Sequence, residues 1–140
     1  MTDVPIEVQD WTKEAKSFKP SMTADVLTSP ADALGSVAAG LTSQGFRVKE
    51  RTPTGFRASH RQLVRGILGL ATASDADILD RTLLAVEASP AGQGTRLTIT
   101  VAGGGEHSAG RKRGRAGLTV GLQELQRRGI AVTTTAWQRP

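Results

Sequence analysis

A chain of 140 residues fits one domain of ordinary size, large enough for a hydrophobic core that needs no metal or disulfide staple. It has no cysteine, no tyrosine, and only Trp11, Phe18, Phe46, Phe56 and Trp137 as aromatics. Thiolate chemistry and cysteine-based zinc sites are therefore excluded, the core must be mostly aliphatic, and platforms for stacking nucleobases are scarce. The formal net charge of +5 is unevenly placed: residues 46–65 carry six cations against Glu50, residues 103–129 carry six against Glu106 and Glu124, and the remainder is mildly acidic.

The opening residues, MTDVPIEVQDWTKEAK, mix charges and contain no apolar h-region, so neither a secretory signal nor an Arg-rich transit peptide is expected. The longest apolar run, Gly66 to Ala73, is far shorter than the ~20 residues of a spanning helix. A soluble, cytoplasmic protein without a membrane partner is the expectation. Residues 1–20 read as an N-terminal arm in which Ile6, Trp11, Ala15 and Phe18 could line a short helix lying over the core. Residues 21–140 read as a single α+β domain.

Within that domain, Met22 to Leu27 is expected to be extended. Ser29-Pro30-Ala31-Asp32 then opens a helix, with Ser as N-cap, Pro at the first helical position and a carboxylate near the positive helix end. Leu34, Val37, Ala38 and Leu41 make its apolar stripe, and Gly45 can take the left-handed conformation that stops it, so the helix runs from Pro30 to Gln44. Phe46 to Arg51 and Gly55 to Ser59 alternate apolar and basic residues around the turn Thr52-Pro53-Thr54-Gly55, which predicts a hairpin with Arg47, Lys49, Arg51 and Arg57 on one sheet face.

His60 to Asp80 is expected to be an excursion from the sheet. Leu63 to Leu70 has the spacing of an amphipathic helix, but Gly66 and Gly69 each disfavour one by about 1 kcal/mol, so a flap is the alternative. Ser74 to Asp80 resembles a calcium loop only in its aspartates, since it lacks the central glycine and the glutamate at position 12. Arg81 to Ala88 and Thr95 to Ala102 are the surest strands, joined by Ser89 to Gly94 as a hairpin; the first is apolar on both faces and so belongs in the middle of a sheet. Ile130 to Trp137, rich in β-branched residues, reads as a last edge strand.

The order of strand, helix, two strands, excursion, two strands, helix and strand predicts an α+β fold, an antiparallel sheet with two main helices on one face. With Ser29-Pro30 opening the first helix and GTRLTITV preceding the second, it resembles the helix-grip proteins of the START and polyketide-cyclase type. Those proteins usually end on the long helix, whereas this chain continues into a strand. The resemblance implies an apolar cavity between sheet and helix, closed here by Leu63 to Leu70.

The stretch Gly103 to Gly129 carries the strongest local signals. Gly105 to Gly110 has the spacing of a phosphate-binding loop, but Arg111 and Lys112 stand where its Lys and Mg²⁺-binding hydroxyl should be, and the preceding strands form a hairpin, so nucleotide hydrolysis is not expected. Leu118, Leu122 and Leu125 form the buried stripe of the following helix; Arg127, Arg128 and Gly129 suit its C-terminus. Arg111, Lys112, Arg113 and Arg115 sit at the positive end of that helix, where cations are disfavoured, so either the helix starts near Ala116 or an anion shares the site.

No constellation specifies a reaction. His60 and His107 lack predictable carboxylate partners and read as surface histidines, and Glu87, Glu106 and the Asp75, Asp77 and Asp80 group show no ligand or acid–base spacing. No catalytic residue, metal or cofactor is called. The sequence points to a non-catalytic interaction module that contacts an acidic partner, nucleic acid or an acidic protein face, through Arg111, Lys112, Arg113 and Arg115 together with Arg47, Lys49 and Arg57. The plain alternative is that these cations solvate exposed faces. Two rival readings remain: a helix-grip-like binder of a small apolar ligand, and a structural subunit that oligomerises by pairing the edge Ile130 to Trp137 with another chain.

Overall fold

The computed structural model describes residues 4–11, 19–63, 79–104 and 108–138. Its elements are β1 (Ser21–Val26), α1 (Pro30–Ser43), β2 (Arg47–Thr52), β3 (Gly55–Leu63), β4 (Leu79–Ala91), β5 (Gly94–Gly104), α2 (Ser108–Arg127) and β6 (Val132–Thr134). All pairings are antiparallel, in the order β2-β3-β4-β5-β1-β6, so the meander from β2 to β5 closes onto β1 and β6 lies at the far edge. The α+β fold with two helices over one sheet face is as the sequence predicts, and β4 is central in the meander.

The period of two along each strand sorts side chains between faces. Met22, Ala24 and Val26, Phe56 and Ala58, Leu84 and Val86, and Leu97, Ile99 and Val101 point to the helices and are buried. Against them α1 sets Leu34, Val37 and Leu41, and α2 sets Leu118, Leu122 and Leu125, all six at most 5% exposed. Burying each such leucine stabilises the fold by roughly 1.5–3 kcal/mol.

Helix boundaries follow local chemistry. The Ser29 hydroxyl accepts from the Asp32 N–H at 3.2 Å, and Pro30 opens α1. Both helices end in the same motif: Phe46 N–H donates to Leu41 O and Gly45 N–H to Thr42 O, and likewise Ile130 to Leu125 and Gly129 to Gln126. Gly45 and Gly129 have φ of 90° and 85°, the left-handed values this termination needs.

The two helices touch backbone to backbone. The spacing Ser36-x-x-x-Gly40 on α1 meets Gly117-x-x-x-Gly121 on α2. A Cβ on Gly121 would lie 2.7 Å from Val37 Cα, and one on Gly117 2.8 Å from Leu41 Cα. The buried Ser36 hydroxyl donates to the Gly121 carbonyl at 2.7 Å, across the same crossing.

Several elements differ from expectation. β3 runs through His60 to Leu63 and β4 begins at Leu79, because cross-strand pairing from Gly55↔Glu87 to Leu63↔Leu79 satisfies backbone groups that the sequence alone left unassigned. The predicted excursion is thereby shortened, and its remaining residues 64–78 lie outside those described, as do Gly105, Glu106 and His107. Residues 4–11 form no helix and run along α2, while Ala15 and Phe18 of the expected arm helix lie outside the described residues. The last segment is a strand only from Val132 to Thr134, although Gln138 bridges back to Ser21. Trp137 turns inward instead of extending the edge: it is 7% exposed, and its indole Nε1 donates to the Gln9 carbonyl.

The glycine crossing makes a paired prediction. Gly121→Ala should destabilise the protein by about 2 kcal/mol, because the new methyl group forces the helices apart. Gly35→Ala, on the same helix pair with nothing within 4 Å of its added Cβ, should stabilise by up to about 1 kcal/mol through helix propensity alone. Urea denaturation of both variants measures the difference.

Candidate functional site

The described residues leave the face of the sheet turned away from the helices uncovered, and its two halves differ in charge. On the β1–β5 half, Asp25 stands opposite Arg96 and forms a two-pronged ion pair, with Arg96 Nε and Nη2 at 2.8 and 3.1 Å from the carboxylate oxygens. The hydrogen bonds from Arg96 hold the Asp25 carboxyl below its usual range, and Asp25 in turn raises the Arg96 guanidinium. The neighbouring positions on this half are hydroxyl-bearing: Thr98 and Thr100 on β5, and Ser21 and Thr23 on β1.

The β2–β4 half is basic. Arg47 pairs with Ser59, and Lys49 stands directly opposite Arg57, so these side chains share the outer face. On β4, Arg81 is opposite Arg61 and Leu83 opposite Ser59. Lys49 and Arg57 therefore juxtapose like charges across the β2–β3 pairing, an arrangement that weakens a sheet. Arg47, Lys49, Arg57 and Arg81 line a cleft of about 190 Å³ whose floor includes Ser59 and Leu83. Glu50 is the one carboxylate among its lining residues, 3.5 Å from Arg57 Nε. Both members of that pair are more than half exposed, so their attraction is weak and screened. Among the described residues no carboxylate pairs with Arg47, Lys49 or Arg81.

Glu50 is also where β2 breaks step. The pairing shifts by one residue between Lys49 and Thr52, and Glu50 takes φ 52°, the one positive φ outside glycine among the described residues. The bulge removes Arg51 from the alternation, and Arg51 does not line the cleft.

The second basic group is placed differently. α2 starts at Ser108 and includes Arg111, Lys112, Arg113 and Arg115, so the cations lie inside its first turns. Arg111 Nε is 3.0 Å from Asp10 Oδ1, and Arg115 Nε donates to the Val8 carbonyl at 3.1 Å. The anion expected at this helix end is thus supplied to Arg111 by the chain's own arm, while Lys112 and Arg113 are exposed. α2 packs on the inner face, whereas Arg47, Lys49, Arg57 and Arg81 belong to the outer one, and the basic cleft includes none of the α2 cations.

His60, expected at the surface, is 6% exposed. It falls on the inner face of β3, beside Phe46 with ring centroids 5.2 Å apart, because β3 continues four residues past its expected end. Glu87 is exposed on β4, while the Asp80 side chain lies outside those described. Among the described residues no three His, Asp or Glu side chains cluster as metal ligands.

Among the described residues, further clefts of about 350 Å³ and 300 Å³ open beside the β2–β3 turn and in the outer groove between α1 and α2. Neither these nor the basic cleft lies between sheet and α2, where the helix-grip resemblance implies a cavity. Arg81 is the cleft residue that sequence reasoning missed. Its period-two relation to Leu83 and Ala85 was legible, but its place beside Lys49 and Arg57 needs the strand order. No protein-family model matches the chain, and no curated protein is significantly similar to it. No helix among the described residues is long and apolar enough to cross a membrane.

Two outcomes are expected here. In an NMR titration the Asp25 carboxyl should titrate below an ordinary aspartate, and Arg96→Gln should move it back up. Because the folded-state value is the lowered one, the pair's contribution is present above the unfolded aspartate range and fades as pH falls through the folded value. Glu50→Gly should raise stability by about 0.5–1 kcal/mol, since glycine tolerates the left-handed backbone and only an exposed ion pair is lost; chemical denaturation reads this directly.

Proposed function

We propose that the protein is a non-catalytic binding module that engages a polyanion, foremost a nucleic-acid backbone, through the outer face of β2–β4. The observation that carries this reading is the like-charge juxtaposition of Lys49 opposite Arg57, in a cleft that Arg47 and Arg81 also line. Folding alone favours opposite or neutral pairs at such positions, so an external anion gives the arrangement a purpose. Arg47 and Arg81, which pair with no carboxylate among the described residues, add to it. Lys112 and Arg113, exposed on α2, are not part of this cleft.

The mode of contact follows from what the face lacks. Trp11, Phe46, Phe56 and Trp137 are all buried, so none of them is offered for base stacking. Contacts would go to phosphates, with little sequence preference and a strong dependence on salt.

Fluorescence anisotropy with labelled duplex and single-stranded DNA and RNA, across a salt series, tests the reading. Four phosphate contacts give a slope of log K against log salt of about −3 to −4. Arg47→Gln with Arg81→Gln should weaken binding and flatten the slope by about two, whereas Lys112→Gln with Arg113→Gln should change it little. Binding of polyglutamate but of no nucleic acid would assign the face to an acidic protein. Absence of binding to either at low salt would remove the proposal.

A further inference from the structure

Two arginine–carboxylate pairs lie on the outer face of the sheet, and they are built differently. Asp25 and Arg96 stand directly opposite each other on β1 and β5, and the carboxylate accepts from Nε and Nη2 of the arginine at 2.8 and 3.1 Å. Register and the two-pronged geometry both keep that pair closed. Glu50 and Arg57 are not cross-strand partners. Lys49 stands opposite Arg57, and Glu50 approaches Arg57 Nε from the bulge beside Lys49, at 3.5 Å, longer than a normal hydrogen bond.

The stability of this second pair does not account for the backbone that makes it. A left-handed L-residue is disfavoured by more than an exposed ion pair returns, and the bulge also interrupts the pairing of β2 with β3. The main chain here is fixed by its surroundings. The Thr52 hydroxyl accepts from the Thr54 N–H at 3.2 Å and donates to the Gly55 carbonyl at 3.3 Å, and the Ala88 N–H donates to the Thr54 carbonyl at 2.7 Å. The Glu50 carboxylate can therefore leave Arg57 by side-chain rotation alone. Its place is also particular: the basic cleft and the larger one beside the β2–β3 turn have two lining residues in common, Glu50 and Arg57.

We propose that Glu50 is a built-in competitor at the basic cleft: it holds Arg57 in the free protein, and a polyanion must displace it to bind. This rests on the polyanion reading given above. A carboxylate tethered beside Arg57 acts at high effective concentration and lowers the affinity of every anion that needs this arginine. A single weak anion is thereby kept out. A polyanion offsets the displacement with its contacts to Arg47, Lys49 and Arg81, which line the same cleft. Glu50 thus sets the number of closely spaced charges that a ligand must carry, a role that gives a glutamate at this left-handed position a use that glycine would lack.

The test measures binding of labelled single-stranded DNA to the full-length protein by anisotropy at about 0.1 M salt, where the Debye length is about 10 Å. Glu50→Gln removes the competing charge and should bind about two- to fivefold more tightly than the wild type. Glu50→Asn, with a side chain that tolerates the left-handed backbone, should gain as much, so that a disturbed bulge is not the cause. Asp25→Asn makes the same change of charge and frees Arg96 on the same face, three strands from β3 and so about 14 Å away. It should gain less than about 1.5-fold. In an Arg57→Gln background the Glu50→Gln gain should shrink to the level of that control. If DNA binds the wild type but Glu50→Gln gains no more than Asp25→Asn, or keeps its gain without Arg57, the competitor role is overturned and the polyanion reading stands. If neither the wild type nor Glu50→Gln binds nucleic acid or polyglutamate at low salt, both fall.

Discussion

The close crossing of α1 and α2 is the constraint on which the arrangement depends. Ordinary helix pairs keep their axes about 8–10 Å apart because side chains fill the space between them. Here Gly40, Gly117 and Gly121 let backbones meet, and the Ser36 hydroxyl ties the pair across the contact. Drawing α2 against α1 leaves the flank of α2 that faces away from α1 open. The arm occupies that flank, and Trp11 completes the core at the corner where β1 and the C-terminal segment meet. A third glycine of α2, Gly114, makes the tryptophan's place. One helix thus uses small residues twice, first to approach its partner helix and then to admit an aromatic anchor.

The same geometry decides where charge is available. α2 carries a dense run of cations, yet two of them are turned to the arm, one by the Asp10 carboxylate and one by a carbonyl. A helix N-terminus disfavours cations, and the carboxylate of Asp10 relieves that penalty locally. In the cleft on the outer face of β2–β4, Glu50 is the single lining carboxylate, and it reaches Arg57 from a backbone conformation that an L-residue rarely takes. Strained conformations tend to collect at binding sites because the surrounding structure has to hold them there.

Much of the fold was legible because its signals are local. Ser29-Pro30, Gly45 and Gly129 specify helix ends through capping chemistry that acts within five residues, and all three behave as read. Alternation in Leu97, Ile99 and Val101 and in Arg47, Lys49 and Arg57 likewise gave strand faces. What escaped was everything that depends on partners distant in sequence. His60 reads as polar and exposed until β3 is known to continue, and Trp137 reads as strand until Gln9 is seen to accept its indole proton. The glycines of α2 look like weak points in a helix, since each lowers its propensity by about 1 kcal/mol; only the position of α1 shows why they stand there. The site was half legible for the same reason. Arg47, Lys49 and Arg57 fall in one hairpin, whereas Arg81 joins them through the β3–β4 pairing, and the α2 cations belong to a helix on the inner face.

A one-sided sheet must give its outer face some composition compatible with water, and this one does so in two ways. Around β1 and β5 the solution is neutral: threonines and serines, with the single acidic residue answered directly by an arginine. Across β2 and β3 a cation faces a cation, in a cleft that also includes the apolar Leu83. Solubility requires only charge, of either sign and preferably mixed, and would be served as well by the pattern of the first half. Repulsion between the opposed cations weakens the pairing of β2 with β3, a loss that the surrounding sheet must absorb. The contrast within one face, under the same helices and in the same solvent, is what motivates the proposal that the basic half meets an anion.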